Sequence, residues 1–340
     1  MAACNRVIFG CAGAELSMDE RAFFADARPF GFILFARNVE SPDQVKRLVA
    51  SLRDAVGKGA APVLIDQEGG RVARLKPPHW KARPAARRFG ELYQDDPQAG
   101  REAAYLNARL VAHDCAALGI TIDCMPVLDM PAEQADPVIG DRAFARDPAA
   151  VIDLGRAVIQ GLLDGGVLPV MKHAPGHGRA TGDTHFTLPR IAAPAAELSI
   201  SDFVPFRALA HDCPIAMTAH VVFEAIDPQR AATISPRVVL QIIRGEIGFE
   251  GLLLSDDLSM NALSGSLGAR AKAALFAGCD VALHCNGKME EMQEVAREAG
   301  PLEGDPLKRA DKALAHLHPP EELDHGAAEM RLAEMLGAVA

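Results

Sequence analysis

Short apolar runs alternate along this 340-residue chain with longer segments of helical periodicity. Runs of this length, bounded by turn residues, are typical of buried strands. Strands that are apolar on both faces and separated by helices form a parallel sheet covered by helices on both sides. Eight such strands favour an α/β fold with a single closed (β/α)8 TIM-type barrel over an open doubly wound sheet. The runs are residues 7–10, 31–35, 63–66, 120–128, 167–172, 215–220, 252–256 and 281–285.

Three of the intervening segments carry helix start signals. Ser17 precedes Glu20 by three residues, which is the spacing of a capping box. Ser41 is followed by a first-turn proline and, at the same spacing, by Gln44. We expect a further helix to begin at Ser235-Pro-Arg.

The chain contains no Pro- or Ser-rich linker, so the sequence predicts one domain. Hydrophobic residues make up 49% of the chain, which is enough to fill a large core. We assign residues 1–317 to the barrel. Residues 318–340 are expected to form a helical tail packed on its exterior.

The net charge of −10 argues against a nucleic acid or an anionic membrane as a partner, because either would need a basic face. No apolar run approaches the length of a membrane span, and the first residues lack the pattern of a signal peptide. Seven cysteines, an odd number without C-x-x-C spacing, are typical of a reducing compartment. We therefore expect a cytoplasmic protein, and no obligate protein partner is evident.

Polar residues occur where the apolar runs end. In a barrel these ends meet at one rim, where (β/α)8 enzymes build their active sites. A single polar residue there can serve structure alone, but five or six converging ends favour a site. The polar ends include Asp66-Gln-Glu-Gly-Gly-Arg71, Asp129 with the later Asp141-Arg142, Lys172-His173, Thr218-Ala-His220, Ser255-Asp256-Asp257 and His284-Cys-Asn286.

Residues 171–187 carry the most informative of these patterns. Lys172 and His173 end a buried run and lead into a glycine-rich loop that ends in Asp183-Thr-His185. A carboxylate two residues before an imidazole can orient it and raise its basicity, which gives a proton donor and acceptor near neutral pH. A solvated loop can hold such a pair by chance. The glycines predict a loop that folds back over a pocket, and we expect residues 176–194 to move during the reaction.

Asp256 and Asp257 follow the seventh run directly. Adjacent residues on a strand point to opposite faces, so one carboxylate can face a pocket. The other can contact the barrel wall or cap the next helix.

A metal site is not predicted. The i, i+4 pair His173 and His177 would suit a helix, but Pro175 and Gly176 between them exclude one. No metal-ligand spacing and no glycine-rich nucleotide fingerprint is present, so no cofactor is expected and a Rossmann dehydrogenase is disfavoured.

With these motifs in view, the chain resembles the single-domain β-N-acetylhexosaminidases of glycoside hydrolase family 3. The resemblance covers most of the length. It departs at Ala174 and Thr184, neither of which is a reacting group. The motifs that carry it are residues 31–38, 65–72, 126–129, 140–144, 172–178, 183–185, 217–220, 255–260 and 277–280.

The resemblance implies a retaining mechanism with a covalent glycosyl-enzyme. Its nucleophile would be Asp256, and its general acid/base would be His185, assisted by Asp183. His220 is a further candidate to line the site. Arg74 is placed by its spacing from the Asp-Gln-Glu-Gly-Gly motif. The sugar-binding positions that carry over are Asp66, Arg74, Arg142, Lys172 and His173.

The resemblance also implies a substrate. Single-domain members act in the bacterial cytoplasm and remove non-reducing terminal GlcNAc from cell-wall muropeptides during peptidoglycan recycling. Aromatic residues make up only 5% of the chain, which favours a small soluble muropeptide or disaccharide over a long polysaccharide. The alternatives are a β-glucosidase or glycoside phosphorylase of the same family, and a non-catalytic sugar-binding barrel.

Overall fold

A computed structural model describes residues 4–57, 59–132, 138–180 and 188–337. Eight of its strands form a closed, all-parallel barrel in the order β1-β10-β9-β7-β5-β4-β3-β2, and β6 and β8 form a separate two-stranded pair. The strands are β1 (Asn5–Gly10), β2 (Pro29–Leu34), β3 (Val63–Ile65), β4 (Ile122–Asp123), β5 (Leu168–Ala174), β6 (Arg190–Ile191), β7 (Ile215–Thr218), β8 (Val222–Phe223), β9 (Leu252–Asp257) and β10 (Val281–His284).

Helices surround the barrel. They are α1 (Met18–Ala27), α2 (Pro42–Ala55), α3 (Ala86–Asp95), α4 (Pro97–Ala116), α5 (Pro148–Asp164), α6 (Ala195–Ile200), α7 (Phe203–Leu209), α8 (Leu267–Ala277), α9 (Met289–Ala299), α10 (Gly304–Leu314) and α11 (His325–Met335). Short 3₁₀ helices span Ala36–Asn38, Gly140–Arg142 and Ala232–Ile234, and a π-helix spans Val238–Glu246. In the described ranges, no helix combines the length and apolarity that a membrane span requires.

The predicted (β/α)8 barrel is confirmed, and each predicted run overlaps one barrel strand. The prediction for residues 120–128 is too long, because β4 covers only Ile122–Asp123 and Val127 then makes a single bridge to Lys172. Pro126 has no amide hydrogen and cannot donate to the ladder, so regular pairing ends before it.

The barrel strands bury both faces. In β1, Ile8 belongs to the cluster that fills the barrel interior, whereas Val7 and Phe9 belong to the cluster between strands and helices. This alternation explains why the strands are continuously apolar in sequence. Ala310 and Ala313 of α10 join the interior cluster and close its amino-terminal end.

The helix start signals are only partly as predicted. Ser17 and Glu20 form the reciprocal capping box. Ser41 caps α2, but the Gln44 side chain does not return to the Ser41 amide. It accepts from the Glu40 amide at 2.9 Å and donates to the Ala14 carbonyl at 2.6 Å, because Gln44 is buried against the preceding loop.

Residues 318–337 run along the outside of the barrel. Helix α11 packs on α4, and its Leu332 is buried there. Glu329 of α11 pairs with the buried Arg83 at 2.9 Å, and Arg331 pairs with Glu102 of α4 at 2.8 Å.

Candidate active site

A cavity of about 300 Å³ lies at the carboxyl ends of the strands. This is the end at which (β/α)8 enzymes place their active sites. The residues lining it include Phe35, Asp66, Glu68, Arg71, Arg74, Arg142, Lys172, His173, His177, Met217, Asp256, Asp257 and Cys285. Six residues that the sequence predicted for the site therefore meet in one cavity: Asp66, Arg74, Arg142, Lys172, His173 and Asp256.

Lys172 is the centre of a buried charge cluster. It lies near the carboxyl end of β5 and is 2% exposed. Its Nζ lies 2.9 Å from Asp66 Oδ1 and 2.7 Å from Glu68 Oε1. Arg74 completes the cluster at 3.1 Å from Asp66 Oδ2. Although burial opposes ionisation, Lys172 and Arg74 hold the pKa of Asp66 well below its usual range. Asp66 is thus a fixed, ionised acceptor at the cavity wall.

Glu68 joins Lys172 to the loop after β4. Its carboxylate accepts two hydrogen bonds from Arg142, both at 2.8 Å. Burial opposes ionisation, but Lys172 and Arg142 lower the pKa of Glu68 to about 2. Glu68 was not among the predicted site residues. Its place in the Asp-Gln-Glu motif that follows β3 was the available signal.

Asp129 orients His173. Its Oδ2 lies 2.7 Å from His173 Nδ1, and its Oδ1 accepts from the His177 amide at 2.6 Å. Asp129 is 1% exposed, and although this burial acts to raise the pKa of its carboxyl, the adjacent His173 holds the pKa of Asp129 below its usual range. A carboxylate bonded to Nδ1 leaves Nε2 of His173 to face the cavity.

His177 also lines the cavity, and it is held neutral. Burial lowers its pKa to about 4, and its buried Nδ1 has no hydrogen-bond partner among the described residues. Neither Asp129 nor His177 was predicted as a site residue. The polar strand end at Asp129 was a signal for the first.

Asp256 and Asp257 both reach the cavity from the end of β9. In the described ranges, the Asp257 carboxylate is the more extensively hydrogen-bonded of the two. Its carboxylate accepts from the Ser259 amide at 3.0 Å, the Ser259 hydroxyl at 2.6 Å and the Cys285 amide at 3.1 Å. The Asp256 carboxylate accepts, within the described ranges, one bond from the Asp257 amide at 2.8 Å. Burial acts to raise the pKa of Asp256, yet His220 and His173 hold it below its usual range. Among the residues that the structure describes, no donor contacts the second oxygen of this ionised carboxylate.

Two glycines shape the loop that leaves β5. Gly176 has a φ of 138°, a conformation that residues with a side chain rarely adopt. Gly178 is needed for a different reason, since a Cβ there would lie 2.0 Å from the Met130 carbonyl oxygen. The third loop glycine, Gly182, lies outside the described residues.

The predicted acid/base pair, His185 and Asp183, also lies outside the described residues, so its position relative to Asp256 is not part of this geometry. Within the described ranges, no three His, Cys, Asp or Glu side chains form a group that could hold a metal ion.

A (β/α)8 barrel with ionised carboxylates and paired cations around a cavity at the carboxyl ends of its strands is typical of an enzyme. Residues 11–317 match the family model described as the glycosyl hydrolase family 3 N terminal domain. The chain belongs to glycosyl hydrolase family 3, and it is therefore a glycoside hydrolase.

Named relatives and solved structures resemble the chain over most of its length. A protein named Beta-hexosaminidase from Alkalilimnicola ehrlichii is 39% identical over 315 residues, which are 92% of this chain and 88% of the relative. A Beta-hexosaminidase from Bordetella avium is 38% identical over 82% of this chain and 80% of its own. The crystal structure of NagZ from Neisseria gonorrhoeae in complex with N-trifluoroacetyl-D-glucosamine matches with a TM-score of 0.87 and 30% identity over 99% of both chains.

Proposed function

We propose that this chain is a retaining exo-β-N-acetylglucosaminidase that removes non-reducing terminal GlcNAc from muropeptides. The observation that carries the proposal is the pairing, in one cavity, of the ionised Asp256 with the cluster of Asp66, Lys172 and Arg142. The relatives named Beta-hexosaminidase and the NagZ complex with a glucosamine derivative support the choice of sugar.

The first chemical step joins the sugar to Asp256. A carboxylate oxygen of Asp256 forms a bond to the anomeric carbon, the bond from that carbon to the leaving oxygen breaks, and His185 gives its proton to that oxygen. In the second step a water oxygen attacks the same carbon while neutral His185 takes a proton from the water. The bond from that carbon to Asp256 breaks in the same step, which regenerates the carboxylate. Asp183 orients His185 in both steps, and two inversions give net retention.

The sugar-binding role is assigned to Asp66, Arg74, Arg142, Lys172 and His173. The ionised Asp66 accepts hydrogen bonds from sugar hydroxyls, while Lys172 and Arg142 donate. Because the charged members of this set pair with one another through Asp66 and Glu68, they are held in place before the sugar arrives, which limits the entropy lost on binding.

The proposed substrate is a small soluble muropeptide or disaccharide from cell-wall turnover, and the proposed role is peptidoglycan recycling in the cytoplasm. The odd number of cysteines without C-x-x-C spacing supports a reducing compartment.

The test is hydrolysis of p-nitrophenyl N-acetyl-β-glucosaminide, followed by NMR of the first anomer released, with and without phosphate. We expect the β-anomer of GlcNAc in both conditions and slower turnover of the corresponding glucoside. Sugar 1-phosphate as the main product would make the chain a phosphorylase, and first release of the α-anomer would exclude retention. The same assay on a disaccharide muropeptide should release GlcNAc.

The role of His185 has its own test, based on the leaving group. His185→Ala should lose about 10²–10⁴-fold on a GlcNAc disaccharide, because a sugar leaving group needs a proton. Bond cleavage on a dinitrophenyl glycoside should slow much less. The mutant should then show a burst of the phenolate, since the base for water is also missing. Equal slowing on both substrates would make His185 a binding residue only.

A further inference from the structure

His220 is a fully buried histidine two residues beyond β7, and both of its ring nitrogens are hydrogen-bonded. Nδ1 lies 2.8 Å from the Thr233 hydroxyl. Nε2 lies 2.9 Å from the backbone carbonyl oxygen of Asp257. His220 is not among the described residues that line the cavity, and it lies behind the end of β9, where it contacts the Asp257 backbone.

The partners of His220 fix its hydrogen positions. A carbonyl oxygen can only accept, so Nε2 must carry a proton and donate it to Asp257. This leaves Nδ1 for the hydroxyl of Thr233, which can donate or accept. The ring is thereby held at both ends, between the 3₁₀ helix Ala232–Ile234 and the end of β9.

Thr218 extends the same network to the other side of Asp256. Its hydroxyl lies 2.8 Å from the Thr233 hydroxyl and accepts from the Asp256 amide at 3.3 Å. The network therefore contacts the backbone amide of Asp256, through Thr218, and the backbone carbonyl of Asp257, through His220. The Asp257 amide, between these two points, is the group that donates to the Asp256 carboxylate.

We propose that His220, supported by Thr233 and Thr218, is a positioning residue that fixes the end of β9 so that the Asp256 carboxylate faces the anomeric carbon. This inference rests on the proposed function, in which Asp256 is the nucleophile. Loss of His220 should therefore slow the formation of the glycosyl-enzyme and change the affinity for the sugar little. A displacement of about 1 Å at a reacting atom can cost about 10²-fold in rate.

Burial and charge agree with this assignment. Asp256 is half-buried, and the loss of water around its carboxyl acts to raise the pKa, while His220 is foremost among the groups that lower it again. A protonated ring would keep both hydrogen bonds, since Nδ1–H can donate to the Thr233 oxygen while Thr233 donates to the Ala219 carbonyl at 3.0 Å.

The experiment compares His220→Leu, His220→Gln and Thr233→Val in the full chain. Leucine removes both hydrogen bonds, whereas a glutamine amide can donate to Asp257 and accept from Thr233. We expect His220→Leu to lower kcat about 10²-fold with KM for p-nitrophenyl N-acetyl-β-glucosaminide little changed. His220→Gln should recover about tenfold of that loss, in keeping with the strength of one or two buried hydrogen bonds. Trapping by a 2-fluoro sugar should slow in parallel with kcat.

Thr121→Val is the matched control. Thr121 accepts from the Val63 amide at 3.1 Å near the start of β4, away from the cavity, so its loss should lower the melting temperature and leave kcat unchanged. Thr233→Val covers the case in which His220→Leu does not fold. It keeps the side-chain volume, removes the partner of Nδ1, and should lower kcat without a matching change in KM.

Several outcomes would overturn the inference. They are wild-type kcat in His220→Leu or in Thr233→Val, a His220→Gln variant as slow as His220→Leu, or a loss confined to KM. Failure of the proposed function would be recognised separately, because the wild-type chain would then release no p-nitrophenol or would not be labelled at Asp256.

Discussion

Asp256 and Asp257 carry the same side chain at neighbouring positions, yet their surroundings separate them. The Asp257 carboxylate accepts hydrogen bonds from Ser259 and Cys285 and so links both residues to the end of β9. Asp256 keeps an oxygen without a described hydrogen-bond donor and faces the cavity in its ionised form. An ionised carboxylate that is not fully hydrogen-bonded is the better nucleophile, which favours Asp256 for this role.

Asp256→Ala should abolish turnover and leave the fold intact, because in the described part of the chain the Asp256 carboxylate accepts a hydrogen bond only from the Asp257 amide. Loss of a nucleophile costs about 10⁴-fold or more in kcat. Asp257→Ala is the comparison, and it should lower the melting temperature as well as activity. A 2-fluoro sugar should label Asp256, as read by mass spectrometry of the digested protein, and a label on Asp257 would contradict the assignment.

Asp123 is a buried carboxyl that the proposed reaction does not use. Its Oδ1 accepts from the Gln67 amide at 2.9 Å, and no residue in the described ranges bonds to its buried Oδ2. Burial raises the pKa of Asp123 to about 7. Since this value exceeds that of the unfolded chain, the folded protein holds a proton that the unfolded chain has already released. Stability from this group is present at low pH and is lost as pH rises toward and through 7.

Asp123→Asn should remove this component of the pH dependence. The free energy of unfolding of the variant, relative to wild type, should rise by about 2 kcal/mol between pH 5.5 and pH 8.5. Urea denaturation at several pH values would measure it. Parallel pH profiles for the two proteins would show that Asp123 does not hold its proton in the folded state.

Among the elements, the loop after β5 depends on close approach to the loop after β4. The Gly178 carbonyl accepts from the Ala132 amide at 3.0 Å, and Gly178 lies against the backbone of Met130. This contact fixes the start of the segment that continues to Asp183 and His185.

Gly178→Ala should separate the two loops, because its Cβ would lie 2.0 Å from the Met130 carbonyl oxygen. We expect a loss of about 10²-fold in kcat/KM from displacement of the following loop. Gly59→Ala is the control, since a Cβ there meets nothing within 4 Å. If Gly178→Ala were fully active on the aryl substrate, the loop start would not determine the position of His185.

At the scale of the whole molecule, we propose that residues 318–340 stabilise the barrel without entering its chemistry. Arg83 is buried, with Asp114 at 3.2 Å and Glu329 of α11 at 2.9 Å as its carboxylate partners. No tail residue in the described ranges lines the cavity.

Truncation after residue 317 should therefore lower stability and leave kcat of the folded protein unchanged. Exposure of the surface under Leu332 and loss of the Glu329 partner should cost about 3 kcal/mol. Arg331→Ala breaks the exposed pairs with Glu102 and Glu334 and should lower the melting temperature much less, because exposed ion pairs contribute little to stability. Thermal melting and turnover measured together would test this, and a folded truncation with lowered kcat would contradict it.

Much of this protein could be predicted from local sequence. The eight barrel strands could be predicted from apolar runs, because a strand that is buried on both faces needs apolar residues at consecutive positions. The meeting of Asp66, Lys172 and Asp256 follows from their places at strand ends, because parallel strands bring all their carboxyl ends to one rim.

Which charged side chains pair with one another depends on the three-dimensional fold. Lys172 and Asp66 are 106 residues apart, and nothing local to either says that they pair or that Glu68 joins them to Arg142. The hydrogen bonds that place His220 behind Asp256 likewise depend on the fold, since His220 and Asp257 are 37 residues apart in the chain. Apolar periodicity is a property of adjacent residues, whereas a hydrogen bond or an ion pair exists only once the fold has placed its two partners within reach.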